Sequence, residues 1–537
     1  VTSRTYRRTL AVITALLGVV MVLWAVLTPG FRAPDEPQHF NSVMRVATGG
    51  GWPAPGEARV SDATLIATRE AGLSLETHGI SVLTSSILPR SSLQGWGYQF
   101  VDLTPLPAQE RSVLDHTADL VTDVEPTFDQ MTQHPPLFYA AGAVLIRAFG
   151  ALDWRWDQQL LLLRLFCVFL CIWVVPLTAA TTRMLTGKRT VALAASVSIL
   201  AVPQFAHIGA TVSNDSLTNL LGAVLLTMAA AIVSGRATWA RLVAIGVVLG
   251  LALLTKGFLL AAIPMVALAV VVGARALRPR QRLWRTFVTL AVAFVVGGWW
   301  WLRNLLVHGA LQPSGMPPFE PDWGDDTPTV GEFAPQAFDR FATSFWGNFG
   351  FLEISLPRQL TLGLTVLGLA AVVVGIVACR RRLRLIVLLT LPVGTLLVVL
   401  GGTFASYQTN GLFAGLQGRY LFSSIAVLAA AAWIGLDAIA RRLGRRWAHW
   451  LPVLATLLSV TLAAIGLITF FQACYQLPSE SVIVGLNRWA LWSIAGRTGV
   501  GLAALAPPVV AIALLVVLVV GRLRRSRRPD LARSLPA

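Results

Sequence analysis

Lysine is almost missing from this chain: only Lys188 and Lys256 occur in 537 residues. Charge of either sign is scarce at 13%, about half of what a soluble domain carries. That leaves too little polar surface for the three or four globular bodies the length would otherwise imply. The four cysteines (Cys167, Cys171, Cys379, Cys474) form neither a metal-type pair nor a disulfide framework, and they read as small apolar packing residues. Intrinsic disorder and a coiled coil are excluded by the same composition. What is abundant is apolar: 55% hydrophobic residues and a mean hydropathy of +0.67 describe a polytopic membrane protein.

A formal net charge of +17 would, in a soluble chain, point to nucleic acid. Position argues against that. The basic residues sit in short clusters between apolar runs: Arg4, Arg7 and Arg8; Lys188 and Arg189; residues 275–285; Arg380, Arg381, Arg382 and Arg384; residues 441–446; residues 522–528. These are the flanks that the positive-inside rule places in the cytoplasm, so the expected partner is a lipid bilayer and no nucleic acid. The acids are distributed the opposite way, with 13 of the 26 between residues 28 and 134 and 7 between 303 and 358. Those two stretches read as outer loops. Arginine in place of lysine, with much Ala, Val and Leu, is the composition of a GC-rich bacterial genome.

The expected organisation is a cytoplasmic start and first span (1–28), a first extracytoplasmic loop (29–134), membrane helices (135–302), a second extracytoplasmic loop (303–359), further membrane helices (360–521) and a basic cytoplasmic tail (522–537). The run at 9–28 reads as a retained span, because Pro29, Gly30 and Phe31 follow it where a signal peptide would have a small-residue cleavage site. A first loop of that length exceeds what a connection needs and points to function. Thirteen apolar runs are candidate spans, yet two basic termini ask for an even number. The short run after His134 and the pair flanking Lys256 are the weakest. Most tryptophans lie at span ends as an interfacial belt; a saccharide-stacking role is left for Trp96, Trp323 and Trp346.

Several strings can carry chemistry. Pro34-Asp35-Glu36-Pro37-Gln38-His39-Phe40 puts two carboxylates and a histidine just past the first span. Charges so near an apolar phase are costly unless used. Pro37 suits a helix start, and such a pair could bind a divalent cation, supply a base, or be a solvated helix cap. Paired histidines at helical spacing are missing, which excludes a zinc protease. His134-Pro135-Pro136-Leu137-Phe138-Tyr139 marks the return to the membrane and a helix start. Ser213-Asn214-Asp215-Ser216 reads most simply as an N-cap. Lys256 either faces a counter-charge such as a phosphate or snorkels to an interface. Arg303-Asn304 and Gln417-Gly418-Arg419-Tyr420 place arginines on the acidic face, against the prevailing bias, and a guanidinium fork suits phosphate.

Taken in order, these strings resemble the multi-spanning glycosyltransferases of the GT-C type. More closely, they resemble a bacterial branch of membrane proteins with an Asp-Glu-Pro-x-His signature, associated with cell-envelope polysaccharides. The resemblance implies an all-α polytopic bundle of about 12–13 transmembrane helices, with short amphipathic helices in a long first extracytoplasmic loop. It implies an enzyme of the bacterial plasma membrane that moves a sugar, with inversion, from a polyprenyl-phosphate donor to an envelope glycan or glycolipid on the outer face. By the same resemblance Asp35 assists deprotonation of the acceptor, with Glu36 as helper or, together with Asp35, as ligand to a divalent metal such as Mg or Mn. Lys256, Arg303 and Arg419 would hold the donor phosphate, and His39, His134, Asp215 and Tyr420 would line the site. Two other functions fit the composition. A transporter or flippase of lipid-linked precursors would show internal repeats, and none is convincing; an envelope scaffold would use the first loop as a binding surface.

Overall fold

Each of the thirteen apolar runs folds as a helix in the computed structural model, which describes residues 3–73, 104–116, 128–315, 329–410 and 413–526. In chain order, α1 (Ser3–Leu27) leads into a loop segment carrying α2 (Glu36–Thr48) and α3 (Asp62–Glu70), and the chain returns through α4 (Leu137–Ala148). Then come α5 (Trp156–Thr186), α6 (Arg189–Ala201), α7 (Pro203–Ile208), α8 (Asp215–Val233), α9 (Trp239–Leu253), α10 (Gly257–Gly273) and α11 (Pro279–His308). After α12 (Val330–Trp346), a small antiparallel hairpin pairs β1 (Asn348–Phe349) with β2 (Ile354–Ser355). The chain finishes with α13 (Arg358–Ala378), α14 (Arg382–Thr409), α15 (Gly418–Leu443), α16 (Arg446–Tyr475), α17 (Val482–Trp492) and α18 (Gly496–Val520).

Among the described residues nine helices are long and apolar enough to cross a membrane, while α4, α6, α9 and α10 are shorter apolar helices. Length explains the difference. The 12 residues of α4 reach about 18 Å at 1.5 Å per residue, well short of the roughly 30 Å of a hydrocarbon core. The short helices include the runs whose parity was in conflict. The protein is thus an all-α polytopic membrane protein, with α2 and α3 as short amphipathic helices in the first loop.

Two apolar clusters hold the fold. In α1, Ile13, Leu16, Leu17, Val20, Met21 and Trp24 are buried at the spacing of one helix face, and they join a large core shared with α5, α6, α8, α10, α15 and α16. A second cluster brings together Phe31, Phe40, Val43, Met44, Ala63, Ala67, Phe138, Tyr139 and Trp156. It seats α2, α3 and α4 on the start of α5, so the loop that carries Asp35 is packed onto the end of the bundle. The apolar side chains of α11, α13 and α18 are by contrast largely exposed, as lipid-facing helices should be.

The last turn of α1 would leave carbonyls without partners, and side chains from far along the chain supply them. Arg164 donates to Ala25 O at 2.8 Å, Thr28 O at 2.7 Å and Pro29 O at 2.9 Å. Tyr475 Oη donates to Leu27 O at 2.8 Å, and Trp489 Nε1 and Ser493 Oγ both donate to Val26 O at 3.1 Å. Trp96 and Trp323 lie outside the described residues. Trp346 is committed to packing: its indole donates to Thr365 Oγ1 at 2.9 Å and its ring abuts Phe345.

Candidate active site

Pro37 does fall in the first turn of α2, and Asp35 occupies its N-cap position. The side chain nevertheless makes no cap hydrogen bond, and the backbone is left-handed at φ 61° and ψ 12°, a conformation that is uncommon outside glycine. That twist turns the carboxylate away from the helix. Oδ1 accepts from Gln130 Nε2 at 3.1 Å, and Oδ2 faces Arg419 Nη2 at 3.3 Å.

Glu36 goes elsewhere. Its two oxygens accept from Arg164 Nε at 2.8 Å and Nη2 at 2.6 Å, and Oε1 also accepts the Val212 amide at 2.9 Å. Both partners of this ion pair are fully buried. The expectation that Glu36 assists Asp35 is corrected here: its acceptors are used by an internal pair. For the same reason the two carboxylates do not converge on one cation, and among the described residues no three His, Cys, Asp or Glu side chains do so either. The pair does not fit the metal expected of it, and no chemical step is assigned to one.

Around Arg419 the structure gathers most of the other expected residues. Lys256 Nζ donates to Asp215 Oδ1 at 2.5 Å and to Asn214 Oδ1 at 3.1 Å. Arg419 Nε lies 3.5 Å from Asp215 Oδ2, an ion pair that joins the two cations through one carboxylate. Lys256 is 5% exposed and Arg419 4%, so lysine snorkelling is ruled out. The Tyr420 ring lies against both cations, with its centroid 5.1 Å from Lys256 Nζ, and Phe258 packs on it at 4.2 Å. In the buried guanidinium, Nη1 has no hydrogen-bond acceptor among the described residues, and Nε has only its long contact with Asp215. A buried donor left over in this way is costly without a partner, and an anion would provide one.

Asn214 makes no N-cap bond through its side chain. It links Lys256 to Tyr139, donating to the phenol oxygen at 3.5 Å, and that oxygen lies 3.0 Å from His39 Nδ1. His39 and Tyr139 stack nearly parallel, and the Trp52 ring packs tilted against Tyr139 at 4.7 Å between centroids. Burial holds the His39 imidazole well below its usual range, and the Lys256 charge adds to this. His134 is pushed down to about 3, first by burial and then by Lys256, and its Nδ1 is buried without a partner. Both imidazoles are therefore neutral at pH 7. Arg303 is not part of the cluster: it is exposed on α11, beside Trp300 and Asn304.

Close backbone contact sets these elements in place. A Cβ on Gly222 would lie 2.3 Å from Ser423 O, so only glycine lets α8, which begins at Asp215, meet the segment that begins at Arg419. Gly222→Val should cost about 1–3 kcal/mol, read as a lowered unfolding temperature in detergent. An unchanged unfolding temperature would show that this contact does not hold the two elements together. On the loop side, Asp129 accepts from Asn41 at 2.7 Å, Ser42 at 2.9 Å and Arg45 at 3.1 Å. This ties α2 to the turn that carries Gln130 and His134.

Sequence reasoning singles out neither Gln130 nor Arg164, and it reads Tyr139 and Asn214 only as members of strings that start helices. For Arg164 a signal existed, since an arginine inside the apolar run of α5 needs an internal acid. Gln130 is neutral and follows no pattern.

Known structures give distant likenesses. The crystal structure of ArnT from Cupriavidus metallidurans bound to undecaprenyl phosphate aligns with 97% of this chain and 80% of its own, at 14% identity and a TM-score of 0.41. Its apo state aligns with 94% and 75%, at 15% identity and 0.43. The archaeal oligosaccharyltransferase AglB from Archaeoglobus fulgidus, in complex with an inhibitory peptide and a dolichol-phosphate, aligns with 88% of this chain at 12% identity and 0.47, and this chain spans 56% of it. No curated protein matches the sequence. Residues 17–429, most of the chain, match the family described as "Predicted membrane protein (DUF2142)", and the protein belongs to that family.

Proposed function

We propose that the protein is a GT-C-type glycosyltransferase, which moves a sugar from a polyprenyl-phosphate donor to a cell-envelope glycan or glycolipid at the outer face of the bacterial plasma membrane. One observation carries the reading: the buried guanidinium of Arg419, whose Nη1 has no hydrogen-bond acceptor among the described residues, lies between two carboxylates and beside Lys256. Such a pair of fixed cations suits a phosphate leaving group, whose charge grows as the bond to the sugar breaks. A carboxylate within reach of the same point, Asp35, suits a base.

In the step proposed, the acceptor oxygen bonds to the anomeric carbon and the bond from that carbon to the phosphate oxygen breaks. The acceptor hydroxyl proton passes to Asp35, and the electron pair leaves with the prenyl phosphate, facing Lys256 and Arg419. Attack opposite the leaving group inverts the anomeric centre. His39, His134 and Tyr139, all uncharged at pH 7, would border the sugar without competing for the phosphate.

The test uses the full-length protein in proteoliposomes with a polyprenyl-phosphate sugar labelled in the sugar and an envelope glycolipid extract. Label should move into the acceptor as free polyprenyl phosphate accumulates. Label that crosses the bilayer still attached to its lipid would overturn the enzyme in favour of a flippase.

A further inference from the structure

We propose that Arg419 is exchanged between Asp35 and the anionic group of the substrate, so that the carboxylate is released for chemistry only in a site that already holds the anion. This rests on the glycosyltransferase reading and adds to it an order of events. The argument begins with charge. Two acids, Asp35 and Asp215, face two bases, Lys256 and Arg419, and the neighbouring His39 and His134 are neutral. The cluster is balanced as it stands. A phosphate entering it would leave an uncompensated negative charge in a largely buried place, which is expensive. One of the acids has to give way.

The two acids are not equivalent. Asp215 is 3% exposed, sits at the start of α8 and is held by Lys256 at 2.5 Å. Asp35 has a side chain 37% exposed, meets Arg419 through one contact at 3.3 Å, and among the described residues is held otherwise only by the neutral Gln130. It stands ahead of α2 in a left-handed residue, so its side chain can swing without moving the helix. Arg419 already has Nη1 without a hydrogen-bond acceptor among the described residues, and its Nε holds only the 3.5 Å contact with Asp215. Turning its fork onto a phosphate gains a two-pronged contact in exchange for the single long one it gives up.

The exchange also changes what Asp35 can do. While Oδ2 of Asp35 accepts from Arg419, that oxygen is engaged by the guanidinium and is not open to an incoming hydroxyl. Once Arg419 turns to the phosphate, the same oxygen is free to accept the hydroxyl hydrogen at the moment a leaving group is in place. Water or acceptor that arrives alone meets a base that is still held.

Competition of this kind predicts that removing the Asp35 charge strengthens anion binding. The full chain in nanodiscs, titrated with undecaprenyl phosphate in one arm and inorganic phosphate in the other, should bind roughly two- to fivefold more tightly as Asp35→Asn than as the natural protein, a size set by partly exposed ion pairs. In an Arg419→Gln background the same change should leave affinity unaltered. Tightening with undecaprenyl phosphate alone places the exchange on the lipid-borne anion; tightening with both places it on phosphate as such. Equal or weaker binding by Asp35→Asn, in a protein that does bind, overturns the exchange and leaves the glycosyltransferase reading standing. No saturable binding of either probe by the natural protein overturns both. If Arg419→Gln does not fold, the Asp35→Asn comparison decides alone.

Discussion

Asp35→Asn is expected to reduce sugar transfer by roughly 10²–10⁴-fold, the contribution of a positioned general base, while folded protein is recovered in normal yield. The second half of that expectation follows from the structure. Asp35 is the most exposed of the four charges in the cluster, and asparagine can still accept from Arg419 through its one amide oxygen while its NH2 faces the Gln130 amide, which can turn to accept from it. Asp215 and Lys256 keep their own pairing. Transfer within a few-fold of the natural protein, in a variant with an unchanged unfolding temperature, would remove Asp35 from the chemistry.

Glu36, its neighbour, is expected to behave in the opposite way. Glu36→Leu leaves the fully buried Arg164 without its carboxylate, and breaking a buried pair on one side costs about 3–5 kcal/mol. The loss should appear as a large drop in unfolding temperature in detergent and in recovered folded protein. Arg164→Leu should be at least as severe, since Arg164 also holds three carbonyls at the end of α1. Removing both charges, with Glu36→Leu and Arg164→Met together, should recover part of the loss, because no lone buried charge remains. A stable Glu36→Leu protein that has lost only transfer would instead restore Glu36 to the active site.

The contrast between these adjacent residues shows where sequence reasoning is effective and where it stops. Helices, the loop with its acids, and the strings around Asp35, His134, Asp215, Lys256 and Arg419 were all readable, because a charged or Pro-containing break in an apolar run is costly and marks a place where backbone and charge are put to use. The diversion of Glu36 was not readable. Asp35 stands in a left-handed residue ahead of the helix and Glu36 begins it, so Asp35 faces Arg419 while Glu36 faces Arg164, and the acid pair in the sequence is two separate sites in space. Arg303 failed for a related reason: a cation on the acidic face looks the same in sequence whether it faces the cluster or the exterior. Asn214 resembles a helix cap by type and position, yet its amide is spent on Lys256 and Tyr139, a demand that only the three-dimensional arrangement creates.

The end of α1 bears on how the chain is assembled during synthesis. Its carbonyls are satisfied by Arg164, Tyr475, Trp489 and Ser493, and Glu36 awaits the amide of Val212. The first helix can enter the bilayer early, but its loop-side end has no complete set of partners until residues near 490 have left the ribosome. Asp35 is eight residues beyond that helix end, so the site is assembled late. A nascent chain that stops short of α17 carries every residue of the charged cluster and still lacks Trp489 and Ser493, the part of the anchor that holds Val26.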